Sequence, residues 1–374
     1  MLRLKNIRLA DGSACPDIEV FDGKDTDDER DMQELTAIPG FFDSHIHGSF
    51  GYDVSDGKTD DIVSLAVKLP SFGVTGFLPT LMTMEEDKIL RAAEATADAI
   101  VKLGELNSSY ACIAGLRLEG PFLNPLKSGV QNPECFVSAE SFARIIEKIE
   151  KNCPGLVKMI DIAPELDGAM DLVGELKDRY VISLAHSDCD YGKASEFFCS
   201  GGNSLTHALN AMSPCLKRNP GPLGAAFDNE NSYVEVICDG VHVEPPVIRM
   251  LFSLFKDRII VISDAMRAGG MPDGTYDLGG VSVRSAGGRT YYGPDGNLAG
   301  SVTNPAEEAE RLCSFGISKT AVIKALTETP RKRLNIRNCL NDTEDNADLI
   351  FVDSKLRLKC VISRGRLVSP YFML

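Results

Sequence analysis

The residues best suited to chemistry are the five histidines, His45, His47, His186, His207 and His242, in a chain of 374 residues. Each falls at the end of an apolar run or just beyond it, and the long polar helical stretches hold none. Residues 38–48 read IPGFFDSHIHG, a short apolar strand ending in two histidines. Strand residues two apart point to the same side, so His45 and His47 face together while Ile46 turns away. Two imidazoles side by side at a strand end are half of a site for a divalent transition metal. Gly48 then lets the chain turn with no side chain above the metal.

Carboxylates complete the picture. Glu119 closes the run LRLEGP, where a buried carboxylate is costly unless it is paired or bound to metal. Glu119, His186 and His207 make a set of three ligands with an open position, the pattern of a catalytic zinc-type site. His45, His47 and Asp264 complete a second position, with Glu119 bridging. Asp264 is also placed to take a proton from water, whose pKa a bound metal brings down to about 7. Glu165 and Asp239 are the other polar groups at the ends of apolar runs.

Something must bring these run-ends together. Eight β-rich runs recur, at residues 41–47, 73–80, 111–120, 156–165, 180–187, 203–210, 232–240 and 258–266. Most gaps carry amphipathic helical pattern, clearest in KTDDIVSLAVKL, MEEDKILRAAEATADAIVKL and SAESFARIIEKI. Alternating strand and helix implies a parallel sheet, and eight units imply an α/β fold of the (β/α)8 TIM-barrel type. The runs read as apolar throughout, as strands covered on both faces should. A barrel gathers its active site at the C-terminal ends of its strands, where these residues lie. The sixth-to-seventh connection reads as a Pro/Gly-rich loop, residues 267–300 as a Gly-rich insertion, and residues 303–335 as helices. Short strand patterns at both termini predict one small β-sandwich domain from residues 1–37 and 336–374, leaving residues 38–335 as the catalytic barrel. The charged segment 22–34 reads as an exposed loop.

Composition is that of an ordinary soluble protein, 44% hydrophobic and 25% charged. A net charge of −15 argues against a general nucleic-acid or anionic-membrane surface, but leaves room for an anionic small substrate held by local cations. No run approaches the roughly 18 apolar residues of a membrane span. The N-terminus lacks a signal-peptide core. The eleven cysteines include no CxxC spacing and read as free thiols of a cytoplasmic protein.

The motifs PGFFDSHIHG, VTGFLPT, LEGPFLNPLKSGVQNP, IAPE, LAHSD, THALNAMSP, RNPGPLG, DGVHVEP, ISDAMRAGG, DGTYDLGG and DGNLAGS run nearly end to end. Together they resemble the amidohydrolase superfamily and, within it, the N-acetylglucosamine-6-phosphate deacetylase family. The resemblance implies that Glu119, His186 and His207 bind the main metal and that Asp264 is general base and then general acid. It implies a substrate-binding set of Val130, Gln131, Asn210, Ala211, Arg218, Asp239, His242, Leu298, Ala299 and Gly300. It implies deacetylation of N-acetylglucosamine 6-phosphate by a homodimer in which Arg218 crosses into the neighbouring subunit's site. Some members lack the strand-1 histidine pair and carry one metal; this chain retains His45 and His47, so one or two divalent ions, zinc or iron, are expected. Other members place a histidine twelve residues after the glutamate, where it meets the acetamide; here the residue is Gln131, which donates a hydrogen bond but bears no charge. Ala208 and Leu209 replace a bulkier pair, a packing change. The superfamily's carboxylated lysine has no counterpart, and Glu119 fills its role. Rival expectations are the N-acetylgalactosamine 6-phosphate deacetylase, another amidase or deaminase of the superfamily, and a metal-binding protein without catalysis.

Overall fold

Eight parallel strands follow one another around a barrel: β1 Phe41–Ile46, β2 Val74–Leu81, β3 Leu116–Glu119, β4 Val157–Ile162, β5 Val181–Leu184, β6 Ser204–Leu205, β7 Tyr233–Val236 and β8 Ile259–Val261. The computed structural model describes residues 1–22, 28–336 and 348–368. Each strand pairs in parallel with the next from β1 to β8. The β8–β1 seam lacks a ladder of that kind. It is closed just beyond the strands, where the Asp264 N–H donates to the His45 carbonyl and the His47 N–H to the Ala265 carbonyl, both at 2.9 Å. The fold is the expected (β/α)8 barrel.

Helices cover the outside because their sequences carry an apolar stripe. In Ala139–Asn152, Phe142, Ile145, Ile146 and Ile149 are buried at three- and four-residue spacing, and the Ser138 side chain caps the N-terminus by accepting from the Ser141 N–H. The strands meet this shell with alternate residues such as Leu116, Leu118, Ile160, Ile162, Val234 and Val236.

The other face corrects the reading of the runs as apolar throughout. Arg117, Asp161, Ser183 and Glu235 are buried on the alternate positions of the same strands. Arg117 donates from Nε and Nη2 to the two Asp161 oxygens at 2.8 and 3.0 Å, and from Nη1 and Nη2 to the two Glu235 oxygens at 2.8 and 2.9 Å. It also donates to the Ser44 carbonyl at 3.0 Å and to Thr206 Oγ1 at 2.9 Å. Arg333, from the helix Glu328–Arg333, reaches Glu235 at 2.6 Å. One guanidinium thus ties β3, β4 and β7 to the residues immediately before His45 and His207.

The third run is broken in two. Cys112–Ile113 pairs with β2, and β3 begins at Leu116. Gly115 lies between, where an added Cβ would sit 2.7 Å from the Leu156 carbonyl oxygen. The run 38–42 is likewise divided at Gly40, whose missing Cβ makes room for the Thr75 side chain. Thr36–Pro39 leaves the barrel and pairs with Leu349–Val352.

Residues of both termini build two small sheets. One has Leu2–Lys5 between Ile18–Val20 and Asp28–Asp31; the other orders Arg8–Leu9, Thr36–Pro39, Leu349–Val352, Leu358–Ser363 and Arg366–Leu367. They share a core that includes Leu4, Ile7, Val20, Met32, Phe351 and Ile362. Asp28–Asp31, expected as loop, is an exposed strand parallel to Leu2–Lys5. An edge strand with one neighbour tolerates charged side chains, so hydropathy hides it. The rest of that expected loop, 23–27, lies outside the described residues, as do 337–347.

Two further segments are more ordered than their composition suggests. In the sixth-to-seventh connection, Gly221–Asp228 is a helix, with Pro222 in its first turn, where no N–H is needed. The Gly-rich insertion is a four-stranded antiparallel sheet, Gly274–Leu278, Val281–Ala286, Arg289–Tyr292 and Asn297–Leu298. Gly279–Gly280 and Gly287–Gly288 supply its first two turns with positive φ at both positions, as two-residue hairpins require. Its Leu278 and Val283 pack on Met82, Met266 and Ala299 above the barrel mouth. Among the described residues no helix is long and apolar enough to cross a membrane, and the ten cysteines are free.

Candidate active site

At the C-terminal mouth the strand ends deliver two groups of three donors. Glu119, His186 and His207 form one; His45, His47 and Asp264 form the other. Glu119 Oε1 lies 3.1 Å from His186 Nε2 and 3.1 Å from His207 Nε2, and the two nitrogens are 3.2 Å apart. In the second group the Nε2 atoms of His45 and His47 are 3.3 Å apart, and Asp264 Oδ1 lies 3.5 and 3.3 Å from them. Glu119 joins the groups, since its Oε2 is 3.2 Å from His47 Nε2.

The backbone is bent to make this convergence. His186, His207 and Asp264 take positive φ values of 44°, 28° and 49°, in or near the left-handed region that non-glycine residues rarely enter. Such conformations cost roughly 1–3 kcal/mol each and persist where the surroundings enforce them, typically at functional sites. Here the chain must turn off the strand at once to aim each side chain across the mouth.

These residues fit a metal. Donors about 2.0–2.2 Å from a tetrahedral centre lie roughly 3.3–3.6 Å from one another, close to the spacings in both groups. The tautomers agree: His186 Nδ1 is 2.8 Å from the Lys127 carbonyl and His47 Nδ1 3.1 Å from the Thr80 carbonyl, so each Nδ1 carries the hydrogen. A bare Nε2 is left on each ring, facing a second imidazole nitrogen, and lone pairs so placed repel unless a cation lies between them. The electrostatics point the same way. Burial disfavours a charge on His45, but the Glu119 and Asp264 carboxylates push its imidazole up to about 9. Burial would raise Glu119, yet the imidazoles of His45, His186 and His207 hold it well below the carboxylate range.

The groups open into a cavity of about 440 Å³ lined by most of the expected residues: His47, Glu119, Val130, Gln131, His186, His207, Asn210, Ala211, His242, Asp264, Leu298, Ala299 and Gly300. His45 lies beneath, fully buried. Asp239 stands behind His242, its Oδ2 2.8 Å from the ring Nδ1.

Known proteins match the chain almost throughout. The chain is 34% identical over 340 residues to the N-acetylglucosamine-6-phosphate deacetylase of Bacillus subtilis (strain 168), covering 89% of this chain and 85% of the relative. It belongs to the N-acetylglucosamine-6-phosphate deacetylase family. It is 31% identical over 367 residues to the N-acetylgalactosamine-6-phosphate deacetylase of Escherichia coli O157:H7, covering 97% and 94%. An N-acetyl-D-glucosamine-6-phosphate deacetylase from Mycobacterium smegmatis, solved in complex with N-acetyl-D-glucosamine-6-phosphate, superposes with a TM-score of 0.84 at 25% identity, covering 98% of both chains. No protein-family model matches the sequence.

Some residues fall elsewhere in this deacetylase framework. Arg218 is exposed on the turn between Leu216 and Asn219 and does not line the cavity. Glu165 is a brace: it accepts from Asn124 Nδ2 at 2.6 Å, Ser187 Oγ at 2.7 Å and the Asp188 N–H at 2.7 Å. Sequence reasoning missed the carbonyls of Thr80 and Lys127, because any residue type supplies a carbonyl. It also missed Met82, Leu278 and Tyr292, which wall the cavity. Tyr292 and Leu278 come from the insertion, whose strand alternation was the available signal.

Proposed function

We propose that the chain removes the acetyl group from N-acetylglucosamine 6-phosphate, releasing glucosamine 6-phosphate and acetate in the cytoplasm. The observation that carries this reading is the pair of donor groups sharing Glu119 at one end of a cavity, in a chain of this family. Glu119, His186 and His207 would hold the main divalent ion, zinc or iron, and His45, His47 and Asp264 a second. A metal held there lowers the pKa of water to about 7 and polarises a carbonyl.

The chain's own groups do the rest. Asp264 is the carboxylate of the second group that lines the cavity, so it takes the proton from the attacking water and delivers it to the departing amine. Oδ1 faces the imidazoles, which leaves Oδ2 for the transfer. Gln131 has one N–H committed to Glu119 and a second for the acetamide oxygen. Val130 and residues 298–300 flank the sugar. His242, oriented by Asp239, and the amide groups at Asn210 and Ala211 receive the phosphate.

Arg218 completes that subsite from the neighbouring subunit of a homodimer. It is exposed and does not line its own subunit's cavity, and the nearby Leu216 is 55% exposed, an apolar group suited to an interface. A guanidinium matches a phosphate bidentately.

Acetate release from N-acetylglucosamine, its 6-phosphate and N-acetylgalactosamine 6-phosphate, with and without chelator, tests the reading. Turnover that requires metal and prefers the gluco 6-phosphate supports it. Preference for the galacto sugar replaces the substrate, and turnover that survives exhaustive metal removal ends the mechanism. Subunit mixing tests the interface: Asp264→Asn and Arg218→Ala proteins, co-refolded, should regain activity. No regain from subunits shown to exchange would return Arg218 to its own subunit or remove it from the chemistry.

A further inference from the structure

Gln131 is almost fully buried, and both ends of its amide are engaged. The Thr83 N–H lies 2.8 Å from one end, and a backbone N–H can only donate, so that end is the oxygen. The nitrogen therefore faces Glu119 Oε2, 2.6 Å away. This orientation follows from donor chemistry alone. The Glu119 oxygens consequently differ. Oε1 is nearest the imidazoles of His186 and His207, both at 3.1 Å, with His45 Nε2 farther off at 3.5 Å and no competing amide donor, whereas Oε2 is divided between His47 and the Gln131 N–H. An N–H donor draws on the lone-pair density of the oxygen that accepts it and occupies one of its approach directions.

We propose that Gln131 is a positioning residue that makes Glu119 a one-sided ligand, so that the group of Glu119, His186 and His207 fills first and the group of His45, His47 and Asp264 fills second and more weakly. This rests on the reading that both groups hold metal. Gln131 fixes the carboxylate with Oε1 toward the first group and reduces what Oε2 offers the second. Two sites sharing one carboxylate thereby acquire an order of filling.

The test is titration of the full-length, metal-stripped protein with cobalt(II), followed by calorimetry, visible absorption and competition with a chromophoric chelator. The wild type should take up two equivalents in sequence. His45→Ala should keep only the tighter one, which places the weaker at the strand-1 pair. Gln131→Met fills a similar volume without the amide. It should bring the two affinities together by about tenfold or more, the scale on which outer hydrogen bonds tune metal ligands. Gln131→Asn is too short to span Thr83 and Glu119, keeps a polar group in the site, and should do the same; it decides the matter if the Met variant does not fold. A ratio unchanged in the folded variants, both affinities shifting by one common factor, or equal affinities in the wild type would overturn the proposal. A wild-type protein that binds no cobalt would instead overturn the metal reading on which it stands.

Discussion

Two layers of buried charge lie one above the other inside the barrel, and they are balanced in different ways. In the lower layer Arg117 and Arg333 face Asp161 and Glu235, so cations and anions are equal in number and joined by direct hydrogen bonds. In the upper layer two carboxylates, Glu119 and Asp264, stand among four imidazoles whose Nε2 atoms point at one another or at carboxylate oxygens. The lower layer balances its charge within the polypeptide. The upper layer is complete only when a cation is added, whether proton or metal. Burial alone therefore does not mark a site; burial with unmatched charge does.

The sharpest way to break the contrast is to remove a ligand. His186→Ala or His207→Ala should lose the tightly held metal and nearly all turnover, because each leaves its group one donor short. Unchanged metal content in both variants, measured by elemental analysis, would show that the upper layer is not built for an ion. Asp264→Asn should keep the fold, shown by an unaltered circular dichroism spectrum, while turnover falls by at least about 10²-fold, the scale of a positioned general base. Retention of a tenth of wild-type activity would rule it out as the proton carrier.

The lower layer should respond in stability before it responds in chemistry. Arg117→Met leaves Asp161 without its guanidinium and should cost about 3–5 kcal/mol, as breaking buried ion pairs does. Adding Asp161→Asn should recover part of that loss. Denaturant midpoints check both, and a single variant as stable as the wild type would mean that this layer is packing rather than charge balance.

A smaller effect is expected where a carboxylate is buried with incomplete compensation. Burial pushes Asp348 up to about 6, despite the Arg364 N–H donating to its Oδ1 at 2.9 Å. Because the folded value is raised above the unfolded one, the resulting stability is fully present below pH ~4 and is lost as pH rises through about 6. Wild type should therefore lose ~1–3 kcal/mol relative to Asp348→Asn over that window. Parallel pH–stability curves for the two proteins would contradict it.

The upper layer was legible in the sequence and the lower was not, for a physical reason. His45, His47, Glu119, His186, His207 and Asp264 stand where apolar runs stop, so a polar residue there breaks a pattern. Arg117, Asp161 and Glu235 sit inside the runs, where one charge is outvoted by its neighbours; only strict period-two counting puts them on a shared face. The barrel itself was readable from the alternation of runs and amphipathic stretches. The hairpins of the insertion, the strand Asp28–Asp31 and the helix Gly221–Asp228 were hidden by glycine, charge and proline, which usually signal loops.

The seam between β8 and β1 also bears on how the chain is made. Asp43 and Ser263, which meet there, are 220 residues apart, so the imidazole pair leaves the ribosome long before the aspartate that completes its group. Until β8 arrives, His45 and His47 have neither that carboxylate nor the backbone bonds from Asp264 and Ala265 that hold their strand in place. Sealing the cylinder and completing the second donor group therefore both wait for β8. A ribosome-bound chain that has not yet reached β8 would carry the pair without the power to use it.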